Sequence, residues 1–350
     1  MDNPFSFSFG RINKKIIQRD EEIKPIFEDF NADHTRNTVY VITGPRGCGK
    51  TVTLSHILDQ YKANDDWVVA RLTQSHNMLE QMASLLYENS VSRIKSLKVE
   101  FSFSFSGLSF QIKGDNPVSS IHVYLEKLLQ YLTKKGKHIL VAIDDVSKND
   151  AMVDFIRAYQ GFLIDHYDVR LLMTGLQKNI SKLESDRTLT FLYRAPKIRL
   201  SPLSIPSIAY SYQTTFNISD EESIRLAKFT KGYAMAYQLL GDILFRNKTV
   251  SLTKEVKKEF DLKIGDSSYE IIWKELTENE RNILTCIAKG DTTNEQIMSK
   301  LSISKGNLAI YKKRLNDEGI ISTKVRGKSE FLLPRFEDFI LFKEKILETF

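Results

Sequence analysis

The chain has 350 residues, 42% of them hydrophobic and 27% charged, with a formal net charge of +6. That length suits two or three domains rather than one core, and the balance is that of a soluble globular protein. It excludes a membrane span, because no run of about 18 apolar residues occurs, and a disulfide scaffold, because Cys48 and Cys286 are the only cysteines and stand in different predicted domains.

The N-terminal "MDNPFSFSFG" has an early acid and no basic segment ahead of an apolar core, so no secretory signal is expected and the chain is expected to be cytoplasmic. "DEEIKPIFEDFN" predicts a short helix opened by acids. "TVYVITG", 38–44, is an apolar run ending in a glycine loop, the pattern of a buried parallel strand. A helix with Val52, Ile57, Leu58 and Tyr61 at helical spacing follows, then the strand "DWVVARL" and the helix "NMLEQMASLLYENSV". "HILVAID", 138–144, "VRLLMTG" and "APKIRLSPL" predict three more strands, with the helix "AMVDFIRAYQGFLIDHY" between the first two. Strands alternating with helices predict a parallel sheet with crossover helices.

One stretch interrupts the alternation. "KVEFSFSFSGLSFQIKGD", 98–115, sets Val99, Phe101, Phe103 and Phe105 on one side at period two, then Leu108, Phe110 and Ile112 after a Ser-Gly turn. It predicts a β-hairpin with one oily face, packed on its own domain or serving as a protein contact. From 204 to about 250 the pattern is purely helical and reads as a small lid; 251–274 reads as linker helices, and 275–350 as a further unit. No internal repeat or low-complexity tract is present.

"GPRGCGKT", Gly44–Thr51, fits G-x-x-x-x-G-K-[ST] between a predicted strand and a predicted helix, which is the context the motif requires. Gly44, Gly47 and Gly49 let the backbone wrap a phosphate, with Pro45, Arg46 and Cys48 between them, and the helix N-terminus at Lys50, Thr51 and Val52 offers N–H groups and a positive dipole end. Lys50 is expected on the β- and γ-phosphates and Thr51 on Mg²⁺. "ILVAIDD" carries Asp144 to the end of a buried strand, where ligands sit in open α/β sheets, as the second Mg²⁺ group. Asp145 follows where many hydrolysing relatives have Glu, shorter by roughly one C–C bond. Slow hydrolysis is therefore expected; the other reading of Asp145 is a helix N-cap. Thr174 is expected near the γ-phosphate, or is an ordinary strand-end threonine. Arg187 and Arg194 are candidates for an arginine finger reaching a neighbouring subunit in a homo-oligomer, or are surface ion-pair partners. The six histidines (His34, His56, His76, His122, His138, His166) show no paired ligand spacing, and no second substrate site of a metabolic kinase accompanies the loop.

In the C-terminal unit, Thr277 and Glu280 have capping-box spacing and Ser304 caps a later helix. Leu308, Tyr311, Leu315 and Ile320 continue an apolar stripe. Helix, helix, helix and hairpin in that order resemble a winged helix-turn-helix, whose third helix enters the major groove while the wing meets the backbone. Between 304 and 328 stand seven basic residues (Lys305, Lys312, Lys313, Arg314, Lys324, Arg326, Lys328) and two acids, against 13 basic and 12 acidic residues across 275–350. Lys305 and Asn307 are candidates for base edges, Lys324, Arg326 and Lys328 for phosphates, and Lys312 for a further DNA contact. Such modules also bind protein or serve as structural clamps.

Through "NPFSFSFG", "GPRGCGKT", "VAIDDVS", "LLMTG" and "TKGYAMAYQLLG", residues 1 to about 250 resemble an archaeal-type P-loop ATPase, close to the AAA+ replication initiators and the STAND signalling ATPases. The resemblance implies an α/β fold: a parallel-sheet P-loop domain over 1–203 with the 98–113 hairpin inserted, a lid over 204–250, and a winged helix over 275–350. It implies ATP or ADP with Mg²⁺ as ligands, and adenine contacts from Ile16, Ile17 and Arg19, although Gln18 and Asp20 replace that group's glycine and glutamate. STAND relatives carry Gly-x-Pro in the lid; here Gly232-Tyr233-Ala234 lacks the proline. Two functions follow: an ATP-binding switch that engages DNA, or a signalling or assembly ATPase that holds ADP, docks a protein through the hairpin, and uses its winged helix structurally.

Overall fold

The computed structural model describes residues 2–5, 15–33, 35–91, 94, 101–104, 109–112, 120–324 and 328–349, with the side chains of 101–104, 109–112 and 346–349 left aside. The chain divides into two compact units, one of residues 19–43 and 50–199, the other of residues 1–18, 44–49 and 200–350.

The first unit is built on five parallel strands, β1 (Val39–Thr43), β2 (Trp67–Leu72), β5 (His138–Ile143), β6 (Val169–Gly175) and β7 (Lys197–Arg199), in the order β2-β5-β6-β1-β7. β1 and β6 are buried along their whole length, which explains their unbroken apolar runs: a parallel strand covered on both faces has no solvent side. Alternation still sorts the two faces. Val39 and Val41 join the large cluster formed with the helices Met78–Val91, Ile121–Lys134 and Asp150–Ile164. Tyr40 points the other way and meets Phe30 edge-on at 5.6 Å, on the helix Asp20–Phe30. The helix Lys50–Lys62 buries Leu54, Ile57, Leu58 and Tyr61, and Tyr61 packs on Trp67 of β2 at 4.3 Å. Each such fully buried side chain contributes about 1.5–3 kcal/mol relative to exposure. β3 (Phe101–Ser104) and β4 (Ser109–Ile112) form the expected antiparallel hairpin, with Phe103 opposite Phe110; the expected oily face lies outside the described side chains.

The second unit has its own core, running from Phe5 through the helices Ile205–Phe216, Asp220–Phe229, Ala234–Arg246 and Lys254–Ile264 to the C-terminal helix Phe336–Thr349. Val256, Phe260 and Ile264, at i, i+4 and i+8, are buried in it, so the charged stretch after the lid is an amphipathic helix. A π-helical turn, Gly265–Tyr269, follows, then the helix Glu270–Glu275. The helices Glu278–Ala288, Asn294–Leu301 and Lys305–Asp317 lead to β8 (Ile321–Ser322) and β9 (Glu330–Phe331), an antiparallel pair. Thr277 with Glu280 and Thr293 with Gln296 form complete capping boxes, and Ser304 accepts the Asn307 N–H, so local sequence sets where these helices start. No helix of the described residues is long and apolar enough to cross a membrane.

Candidate functional site

The loop Gly44–Gly49 joins β1 to the helix that begins at Lys50. Gly47 and Gly49 hold φ of 73° and 101°, a region that a side chain disfavours. A Cβ on Gly47 would also fall 2.2 Å from the Tyr233 hydroxyl. Within its unit the loop is tethered from outside. The Tyr233 hydroxyl donates to the Arg46 carbonyl at 2.9 Å, and the Met235 N–H donates to the Gly47 carbonyl at 3.1 Å. A trans peptide sets its C=O and N–H on opposite sides, so these tethers turn the Gly47 and Cys48 N–H groups away from the lid helix. Cys48 is buried and its N–H meets the Pro45 carbonyl at 3.3 Å. Arg46 pairs with Glu275 at 3.0 Å. Gly319, after the helix Lys305–Asp317, lies so close to Pro45 that a Cβ there would overlap the Pro45 ring.

Tyr233 is 6% exposed, and burial pushes its phenol well above the ordinary range against an opposing hydrogen bond with Ser268, so it stays a donor. Its position is fixed by Gly232, whose φ is 74° and where a Cβ would come 2.6 Å from the Leu203 carbonyl. Ser268 Oγ lies 3.0 Å from the Tyr233 hydroxyl. Ser268 sits in the π turn, whose extra residue buries Ser268 and Tyr269 side by side; Tyr269 in turn donates to the Pro334 carbonyl at 2.6 Å, ahead of the last helix.

In the first unit, Lys50 is half-buried and Thr51 exposed, in the first turn of their helix, with Val52 half-buried behind them. Asp144 follows β5, and Thr174, fully buried in β6, donates to Asp144 Oδ1 at 2.5 Å while accepting the Asp145 N–H at 2.9 Å. Thr174 thus holds the Asp144 carboxylate and the Asp145 backbone at once. Asp145 is exposed with φ of 51°, a conformation that Asp tolerates better than most residues. It does not cap the next helix: Asn149 does, accepting the Met152 N–H at 2.8 Å. Sequence reasoning missed two residues here. Gln74 donates to the Asp145 carbonyl and accepts the Ser147 N–H, both at 2.9 Å, which pins the acid-bearing loop. Arg71 donates to Asp144 Oδ2 at 2.9 Å and to Ser55 Oγ at 3.2 Å. The available signal for Arg71 was its place as the single charged residue of β2, at the one exposed position of that strand.

Of the other expected residues, Ile16 is exposed and Ile17 packs half-buried on the lid cluster. Arg19 is buried, with its guanidinium on Glu22 at 2.9 Å. Arg187 and Arg194 are exposed, and neither forms an ion pair among the described residues. Lys305, Asn307, Lys324 and Lys328 are exposed, and Arg326 lies outside the described residues. Lys312 corrects the expectation of a DNA-contacting lysine. It is 7% exposed, its Nζ donates to Asn294 Oδ1 at 2.6 Å, and burial pulls its pKa down. The exposed face of the same helix carries Lys305, Ala309, Ile310 and Lys313 instead.

A family model for an ATPase domain predominantly from Archaea matches residues 16–191, and one for a domain of unknown function matches residues 266–340. No curated protein matches the sequence. The fold is similar to that of the Walker-type ATPase of Pyrococcus abyssi, with a TM-score of 0.62 at 14% identity over 96% of this chain and 99% of that one. It is also similar to the Aeropyrum pernix ORC2 protein in its ADPNP-ADP complexes, with a TM-score of 0.59 at 14% identity over 97% of this chain and 98% of that one. These likenesses and the strand order make the fold that of a P-loop ATPase, a five-stranded parallel sheet with helices, followed by a C-terminal helical region whose three helices and β-pair fit a winged helix.

Proposed function

Since the chain belongs to the family of ATPase domains found predominantly in Archaea, we propose that it is an ATP-controlled switch whose C-terminal winged helix binds DNA. Lys50 contacts the β- and γ-phosphates held by the Gly44–Gly49 backbone. Thr51 and Asp144 are hard oxygen donors of the kind Mg²⁺ takes, so the residues present fit that ion. Asp145 aligns the attacking water, with slow turnover because the carboxylate is short, and Thr174 holds Asp144 near the γ-phosphate. Arg187 or Arg194 serves a neighbouring copy in a homo-oligomer. Ile17 and Gly232 border the adenine end. Lys305 and Asn307 approach base edges while Lys324, Arg326 and Lys328 meet phosphates.

The observation that carries the switch is the tether between loop and C-terminal half. Phosphate binding acts on the same peptides whose carbonyls Tyr233 and Met235 hold, and the line Tyr233–Ser268–Tyr269–Pro334 runs from there to the winged helix. The test is a DNA titration in ATP, ADP and no nucleotide at two salt concentrations, with Lys50→Ala as control. Affinity should depend on nucleotide in the parent protein, fall steeply with salt, and lose its nucleotide dependence in the variant. Absent or nucleotide-blind DNA binding, together with tightly retained ADP, overturns the DNA switch.

A further inference from the structure

Both carboxylate oxygens of Asp144 already have partners in this chain. Its Oδ1 takes the Thr174 hydroxyl at 2.5 Å and its Oδ2 takes a guanidinium nitrogen of Arg71 at 2.9 Å. β2 and β5 pair in parallel with Arg71 opposite Ala142 and Leu72 opposite Ile143, so the register carries Arg71 alongside the end of β5. The other nitrogen of Arg71 is anchored 3.2 Å from Ser55 Oγ. Ser55 stands four residues after Thr51 on the helix Lys50–Lys62, hence on the same face one turn later. The guanidinium therefore spans the acid at the strand end and the helix that starts at the phosphate loop. Arg71 is 39% exposed and the Asp144 side chain 20% exposed, so the pair is open enough to exchange.

Resting on the ATP-site reading above, we propose that Arg71 is a displaceable counter-cation on Asp144, with which Mg²⁺ must compete. Nucleotide is then held without metal, Arg71 supplying positive charge beside the loop helix. Mg²⁺ binding frees the guanidinium from Asp144 while Ser55 keeps it at the site. Arg71 is a positioning residue in this scheme, and its effect is on metal linkage rather than on the reacting atoms.

The test uses the full chain with methylanthraniloyl-ADP as probe, titrated in EDTA and then at rising MgCl₂, for the parent protein, Arg71→Gln and Arg71→Lys. A half-exposed ion pair corresponds to a factor of about five. The Mg²⁺ midpoint should fall about fivefold in Arg71→Gln and stay near the parent value in Arg71→Lys. In EDTA, Arg71→Gln should bind the probe about fivefold more weakly. Ser55→Ala, which removes only the far anchor, should move the midpoint the same way by less and guards against a misfolded Arg71 variant. Nucleotide binding with an identical Mg²⁺ midpoint in the parent, Arg71→Gln and Ser55→Ala overturns the counter-cation and leaves the ATP site standing. No probe binding by any folded protein overturns both.

Discussion

Replacing Tyr233 by Phe removes one hydroxyl and almost no volume. That hydroxyl is the donor to the Arg46 carbonyl at 2.9 Å and the partner of Ser268 at 3.0 Å, in a residue 6% exposed. Leaving a part-buried carbonyl and a buried serine short of a partner costs about 1–3 kcal/mol. Taking about 2 kcal/mol as the central value, melting falls by about 4–8 °C for a unit of this size. The same energy bears on the loop. If the tether holds the Arg46–Gly47 peptide with its N–H turned toward the phosphate, its loss makes the binding conformation one of several. ATP affinity then drops, with about 30-fold as the ceiling set by 2 kcal/mol and about tenfold expected because Met235 still holds the next carbonyl. Calorimetric titration of ATP into the parent and Tyr233→Phe proteins measures this directly. A variant that melts lower yet binds ATP as tightly as the parent refutes the preorganising role and leaves Tyr233 as core packing.

Gly47→Ala forces a side chain into a φ of 73° and against the Tyr233 hydroxyl, so it should weaken ATP binding at least as much as Tyr233→Phe, by the same calorimetry. Partial burial would raise the Glu259 carboxyl, but hydrogen bonds from Arg246, Asn247 and Lys263 outweigh it and hold it at about 2. A carboxyl lowered on folding stabilises above its unfolded value near 4.5 and loses that contribution as pH falls toward about 2. Glu259→Gln should therefore cost about 1 kcal/mol at pH 7 after allowance for its exposure, and urea melts of variant and parent should converge near pH 2. In salt titrations of DNA affinity, Lys324→Glu should flatten the log–log slope by about one unit, whereas Lys312→Met should leave the slope unchanged. A Lys312 variant with a flattened slope would show that the lysine leaves Asn294 on the nucleic acid.

The sheet was legible because buried parallel strands are written as continuous apolar runs, and "VYVIT", "HILVAI" and "VRLLMTG" are such runs. The phosphate loop and both capping boxes were readable because each is a local pattern of residue types at fixed offsets, although Thr293 with Gln296 went unremarked. What stayed hidden depends on register between distant segments. Arg71 reaches Asp144 because β2 and β5 align Leu72 with Ile143, which neither strand specifies alone. Lys312 was counted with its basic neighbours by sign. Its place at i+4 from Leu308, and three before Leu315, puts it on the buried stripe, and Asn294 on another helix supplies the partner that makes burial tolerable.

The π turn at Gly265–Tyr269 is the least legible element and the one on which the proposed switch depends. The extra residue of the π turn offsets the helix before it from the helix after it by about 100° relative to a regular helix through "KIGDSSYE". The wider turn buries Gly265, Ser268 and Tyr269 together. Ser268 thereby meets Tyr233, which touches the phosphate loop, and Tyr269 meets Pro334 and stacks edge-on against Phe336 at 4.8 Å. Two adjacent residues thus face two different partners, one from the nucleotide side and one from the winged helix. Relaxing the turn to regular helix would release one contact or the other. Under the proposed switch, a loop state that pulls Tyr233 away from Ser268 would favour a turn that also loosens Pro334.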